Sequence, residues 1–559
     1  MRINNIRCLP LLIACLATTS YGAELPSPAD AGRFQEKFNQ QPITPNPQPR
    51  VVPETSNILA PPPNAALVTF NLQDVQINGL TILAISELEP IWHDRLGKEI
   101  NLLEVYKIAD AVTSRLRNAG YILSIAIVPP QKIEGGKILL TVVEGYIEGV
   151  DIEGDAGTST NLLHELLDHV IKERPVTNAV LERYLLLAKN LPGLQIRSVI
   201  KPSDTEIGAA RLAILVELKK IDLFIGLDNR GSRYIGPQEL SLGLGINSML
   251  TNADRTDLRF ITTNTNTNEL KFWQVAHSLK VGAEGDTVSA IYSSSKSHPG
   301  FTLKSLDVEG DADTFSINYT HPLKVSRKEN LTLHGGFNLR SSDTDLLGVN
   351  TAHERIRWFS VGVDYDLADS LNGINYMTLN LDKGLNVLGT TETGSSNLSR
   401  VNGRSDFTKI EGEFLRNQYL FGNWNFLAGL SWQYSPHSLL SAERYGVGGS
   451  QYGRAYNSSE LTGDKGLAFK TEVRYDGLTS LAVLKNYQVY GFYDVGAVWN
   501  DKAVNEREKL SLASVGLGVR FNITKHFSGD LEIAKPLTRR VQTENDNDIR
   551  GFFNLTARF

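Results

Sequence analysis

From residue 221 to residue 559 the chain shows no helical periodicity, only alternation. In "GLAFKTEVRY", Leu467, Phe469, Thr471, Val473 and Tyr475 fall on one face, and Gly466, Ala468, Lys470, Glu472 and Arg474 on the other. "NLTLHGGFNLR" sets Leu331, Leu333, Phe337 and Leu339 against Asn330, Thr332, His334, Asn338 and Arg340. "SVGLGVRFNI" repeats the pattern from Ser514 to Ile523, and "WNFLAGLSWQY" gathers Trp424, Phe426, Leu430, Trp432 and Tyr434. A period of two residues is the mark of a strand with two unlike faces. A soluble sandwich would alternate as well. Here the polar faces carry full charges and the apolar faces often end in aromatics, as lipid-facing girdles do. The expectation is an all-β antiparallel transmembrane barrel over 221–559. At about 9–11 residues per spanning strand, with as much again for turns, the strand count falls in the mid-teens, and an even sixteen fits best.

The remaining composition agrees. Net charge is −6, which argues against a nucleic-acid coat. No apolar run after the first 25 residues is long enough for a membrane helix, so any crossing is made by strands. The start, "MRINNIRCLPLLIACLATTSYGAELP", has Arg2 and Arg7 before a short apolar core at Leu9–Leu16 and then small residues. It reads as a signal peptide over 1–22, cut between Ser20 and Ala23. A buried N-terminal strand, or a lipoprotein box at "LIAC", stays open. Cys8 and Cys15 both lie in this segment, so the mature chain is expected to fold without disulfides. Residues 23–66 combine a helical candidate, "DAGRFQEKFN", with the proline-rich "QPITPNPQPRVVPETSNILAPPPNA", an extended linker.

Between linker and barrel lie two similar units. In 67–145, "LVTFNLQDVQINGL" is strand-like and "ISELEPIWHDRLG" and "NLLEVYKIADAVTSRLRNAGY" are helical. "YILSIAIVPPQKIEGGKILLTVVEG" is two strands joined at Gly135-Gly136. Asn101 with Glu104 forms a capping box and Gly120 sits at a helix C-cap. In 146–220 the order of strand, two helices and two strands recurs, Gly79 matching Gly154 and Gly120 matching Gly193.

Motifs for chemistry are few. There is no P-loop and no GxSxG elbow. In "HELLDH", His164 and His169 are five apart, off the four-residue spacing that puts two metal ligands on one helix face. "ENDND" at 544–548 lacks the glycine and closing glutamate of a calcium loop. The expectation is a protein that is not an enzyme and uses no metal, cofactor or nucleotide.

The unit-and-barrel order, with several local motifs, resembles the TpsB transporters of two-partner secretion (haemolysin activation/secretion proteins) from about residue 67 to 559. Gly120-Tyr121, Pro130-Gln131 and Val143-Glu144-Gly145 resemble recurring marks of that family's first POTRA domain. "LDNRGSRYIGP" resembles the start of its barrel, and "FYDVGAVW" its late strand with an inward acid. "GVGGSQYGRAYNSSELTGDKG" resembles its Val-Arg-Gly-Tyr/Phe loop, with Gly453, Arg454, Ala455 and Tyr456 on the four positions; the valine and the central glycine are replaced. The resemblance implies POTRA domains at 67–145 and 146–220 in the periplasm and a barrel in the bacterial outer membrane. It implies export of a large, unfolded secreted partner, with POTRA contacts near Gly120, Tyr121, Pro130 and Gln131. It also implies a loop folded into the lumen, its Arg454 meeting an acid on the wall; strand parity makes Asp494 that acid. A barrel-assembly factor of the same superfamily and a passive porin are the alternative readings.

Overall fold

Described in the computed structural model are residues 25–39, 61–203, 206–264, 266–478, 484–501 and 507–559. The signal-peptide reading, both cysteines and the linker prolines from Pro42 to Pro53 lie outside them. Sixteen antiparallel strands, from Ile221–Asp228 to Arg550–Arg558, form one closed barrel. Period-two sequence becomes a barrel because lipid leaves no unpaired backbone group in place, so the sheet must close on itself. Closure joins the first and last strands over five residue pairs, from Asn554 opposite Asp228 to Arg558 opposite Phe224. Alternation is obeyed at the wall: Trp273, Phe315, Ile317, Tyr319, Val473 and Tyr493 face outward and exposed, while Ser293, Thr314, Asn338, Lys470 and Asp494 are buried inward.

Ahead of the barrel stand two α/β units of one topology. In the first, Lys137–Val143 is the central strand, parallel to Asp74–Asn78 and antiparallel to Ile125–Ile127. In the second, Ala209–Leu218 is central, parallel to Tyr146–Gly154 and antiparallel to Leu194–Pro202. Helix Leu102–Asn118 lays Val105, Ile108, Val112 and Leu116 on the first sheet. Helices Thr160–Lys172 and Asn178–Lys189 lay Leu163, Leu166, Leu167 and Leu187 on the second. Each such leucine contributes about 1.5–3 kcal/mol by leaving water. The Asn101 side chain accepts from the Glu104 N–H at 3.0 Å, starting the first helix, and Gly120 ends it at φ +101°.

Two sequence expectations change here. "ISELEPIWHDRLG" is not an α-helix but three 3₁₀ turns, Ile85–Glu87, Glu89–Ile91 and His93–Arg95. Pro90 supplies no N–H to an α-helical ladder, and the isolated turns close with i to i+3 bonds instead. "LVTFNLQDVQINGL" is two strands: Thr69–Asn71 pairs with Glu99–Asn101, and Asp74–Asn78 joins the sheet. His169 stacks on Tyr184, ring centroids 4.5 Å apart.

The second unit caps one mouth of the barrel. Arg183 donates to the Glu284 carboxylate at 2.9 Å, the Tyr184 hydroxyl donates to it at 3.1 Å, and the Arg327 N–H donates to Glu182 at 3.0 Å. Burial, then the Glu284 charge, raises the Tyr184 phenol above its ordinary value. Beside this joint a cavity of about 400 Å³ separates Leu162, Leu166 and Leu187 from Lys280 and Asp366 of the wall.

Candidate functional site

The connection 435–464, between strands Trp424–Tyr434 and Lys465–Leu478, does not stay outside. It carries a short hairpin, Tyr445–Val447 with Leu461–Gly463, and folds down against the inner wall. Glycines permit the descent. Gly448 at φ +121° and Gly453 at φ +88° hold a conformation L side chains rarely adopt, and a Cβ at Gly448 would sit 2.3 Å from the Asn457 carbonyl. Gly466 on the wall gives the hairpin room: a Cβ there would lie 1.8 Å from the Tyr445 ring. Gly466→Ala should therefore push the hairpin off the wall. Trypsin added to intact cells should then cut after Arg454 several-fold faster, with heat-modifiable barrel migration unchanged. An uncut loop in that variant would refute the seating argument.

At the tip the Arg454 guanidinium is 3% exposed and the Asp494 carboxylate fully buried. Arg454 donates to Asp494 from Nη2 at 2.7 Å and from Nε at 2.9 Å, a bidentate fork. The backbone N–H groups of Gly453 and Arg454 also donate to Asp494, at 3.2 and 3.0 Å. Strand Asn486–Trp499 explains the aim, since Tyr490, Phe492 and Asp494 share its buried face while Val489 and Tyr493 face outward. The Arg454 guanidinium carbon lies over the Phe492 ring, 3.6 Å from its centroid.

The site extends beyond the pair expected from sequence. Glu472, on the neighbouring strand, accepts a second contact from Arg454 and is itself bonded by Arg474 at 2.6 Å and Arg520 at 3.1 Å. Arg230, just past the first strand, donates to the Arg454 carbonyl at 3.0 Å and to Glu532 at 2.7 Å. Arg550, on the last strand, donates to the Ala455 carbonyl at 2.9 Å. Ala455 is fully buried, and the Tyr456 hydroxyl donates toward the Arg539 carbonyl at 3.1 Å. Glu472 was within reach of sequence reasoning, because alternation already put it on the charged face of "GLAFKTEVRY". Arg230 and Arg550 carried no such signal, since they meet the loop only once the barrel closes.

Of the four residues expected to contact a client in the first α/β unit, Gly120, Tyr121 and Gln131 also make local hydrogen bonds. Gly120 and Tyr121 close the helix, with Tyr121 N–H donating to the Leu116 carbonyl at 3.1 Å. Gln131 bridges to the strand, accepting from the Leu139 N–H at 2.7 Å and donating to its carbonyl at 2.8 Å. Tyr121 and Pro130 flank Ile125–Ile127, an edge strand of its sheet.

Within the lumen also lies the segment Leu25–Asn39. Ala31–Arg33 is a 3₁₀ turn and Phe34–Asn39 a short helix. Arg33 donates to the carbonyls of Ser441 and Arg444 at 2.8 and 2.9 Å, tying this segment to the same inward connection. Among the described residues no group of three or more histidine, cysteine, aspartate or glutamate side chains is disposed to hold a metal.

Residues 214–521 match the family described as haemolysin secretion/activation protein ShlB/FhaC/HecB, and residues 70–145 match the ShlB-type POTRA domain. The heme/hemopexin transporter protein HuxB of Haemophilus influenzae is 23% identical over 525 residues, covering 92% of each chain. The outer membrane transporter CdiB of Dickeya dadantii is 21% identical, covering 97% of each. In fold the chain is similar to CdiB from Escherichia coli, with a TM-score of 0.70 at 19% identity over 96% of this chain and 100% of that one. CdiB from Acinetobacter baumannii follows at 0.61 and 16%, over 94% and 96%.

Proposed function

The chain belongs to the haemolysin secretion/activation protein family ShlB/FhaC/HecB, outer-membrane transporters of two-partner secretion, and from that premise we propose how it works. Its secreted client is a large protein met unfolded in the periplasm. The client adds as a strand to a sheet edge of the first α/β unit, near Tyr121 and Pro130, where main-chain hydrogen bonds tolerate many sequences. The second α/β unit, fastened to the barrel by Arg183 and Glu182, passes it to the lumen. The sequence offers no P-loop, so folding outside the cell draws the client through.

The observation that carries this reading is the buried Arg454–Asp494 fork inside the barrel. Arg454 and Asp494 hold the inward connection at rest, with Gly453, Ala455 and Tyr456 shaping its tip, and the connection moves aside in transport. A passive porin has no use for the two α/β units before the barrel. To test export, surface and medium proteins of the native host are compared with and without this chain. One large protein should vanish from both fractions and return on complementation. A secreted proteome that does not change would remove the reading.

A further inference from the structure

The inward wall of this barrel is mostly serine, threonine, asparagine and charge, as a water-filled lumen requires. Apolar clusters under the inward connection depart from that rule, around Phe492 and Leu512 and around Ile356 and Trp358, and a further patch lies away from it. Ile261, Phe272, Ser295 and Ala312 stand side by side at one level across four adjacent strands, and three of the four are apolar. Leu270 and Val308 extend the patch, and Tyr234, Ile235 and Leu303 from the outer connections roof it. Phe272 is fully buried although Trp273, its neighbour in sequence, is exposed on the outer surface of the barrel. Barrel residues cover this phenylalanine only in part, and whatever stands against it in the lumen completes its removal from water.

The occupant in this structure is the chain's own N-terminal segment. Phe38 packs on Phe272 with centroids 5.1 Å apart, and Phe34 on Phe38 at 6.1 Å. Around them the wall grips main chain as well as side chains. The Ser295 hydroxyl donates to the Ala31 carbonyl at 2.9 Å, and Arg259 donates to the Phe38 carbonyl. Glu239 pairs with Lys37, the residue before the buried aromatic. Side-chain donors aimed at main-chain carbonyls beside an apolar pocket, with one acid for a neighbouring cation, bind many sequences through one chemistry.

We propose that this patch is a binding site for aromatic side chains of a polypeptide in the lumen. The N-terminal segment fills it at rest, and the exported segment takes it over in transit. The second half of that statement rests on the export function proposed above; the site itself does not.

The test uses the full chain in detergent with residues 25–39 deleted, and fluorescence anisotropy of labelled peptides. The probes are a synthetic peptide of residues 25–39, its Phe34→Ser/Phe38→Ser form, an unrelated glycine/serine peptide bearing two phenylalanines and a lysine, and that peptide with serine in place of both phenylalanines. Both phenylalanine peptides should bind the deleted chain, each at least tenfold more tightly than its serine counterpart. The intact chain should bind them more weakly, its site being filled. Phe272→Ser should weaken both phenylalanine peptides at least tenfold. Ala312→Phe, which fills the patch yet keeps it apolar, should do the same, and heat-modifiable migration checks that each barrel is folded. An unrelated phenylalanine peptide that binds no better than its serine form would overturn the proposal, as would full binding by a folded Phe272→Ser or Ala312→Phe barrel. Loss of export with peptide binding intact would instead count against the transport reading alone.

Discussion

Arg454→Ala should lower secretion at least tenfold while the barrel stays in the outer membrane at near-normal level. The side chain makes no ladder hydrogen bond, so strand pairing survives its loss. What fails is the tip of the inward connection. Removing one partner of a buried, hydrogen-bonded pair costs about 3–5 kcal/mol, because the other charge is left uncompensated. Two carboxylates, Asp494 and Glu472, lose their shared guanidinium at once. Asp494→Ala should be at least as severe, since Asp494 also accepts from the backbone of Gly453 and Arg454. The double change should be no worse than the worse single one, as expected of groups acting as a unit. Exchanging the charges, Arg454→Asp with Asp494→Arg, should not restore secretion. The pair alone would tolerate the swap, but an aspartate at 454 would face Glu472, with the Glu532 carboxylate 3.9 Å from the present guanidinium. Arg454→Lys keeps a charge and loses the fork, so partial secretion is expected. Normal secretion by Arg454→Ala at normal barrel level would sink the proposed role of the pair.

Deleting residues 24–60 should raise single-channel conductance in planar bilayers several-fold. A closed barrel of sixteen strands leaves a lumen wide enough for water and ions, and Leu25–Asn39 stands in it. Arg33, 3% exposed, is held by two carbonyls of the inward connection, Lys37 by Glu239, and Phe34 and Phe38 by the apolar patch. These anchors act on different walls of the lumen, so one substitution loosens the segment less than deletion removes it. Arg33→Ala should give brief openings rather than a permanently open state. A deleted chain that conducts like the intact one would leave the segment without a blocking role.

Period-two alternation is a local property of the chain and determined the outward and inward faces; charged polar faces and aromatic-ended apolar faces turned it into a membrane barrel, and the even strand number follows from how bacterial barrels close. Local chemistry likewise specified helix Leu102–Asn118, through Asn101 at its start and Gly120 at its end. Parity along Asn486–Trp499 was enough to turn Asp494 toward the lumen. Parity says nothing about height or neighbours. That Arg454 meets Glu472 as well, and that Arg230 and Arg550 take the carbonyls of the tip, depends on strand register and on joining the first strand to the last. Those contacts span up to 224 residues of sequence, and only closure brings them together. The placement of Phe34 and Phe38 on Phe272 is of the same kind, because a short amphipathic helix has many possible partners in sequence and the closed barrel brings this patch to face it. In "ISELEPIWHDRLG" the apolar spacing suggested a helix, and Pro90 withheld the N–H that a continuous one would have used. Local periodicity thus decided which way each side chain points, and the closed sheet decided what it meets there.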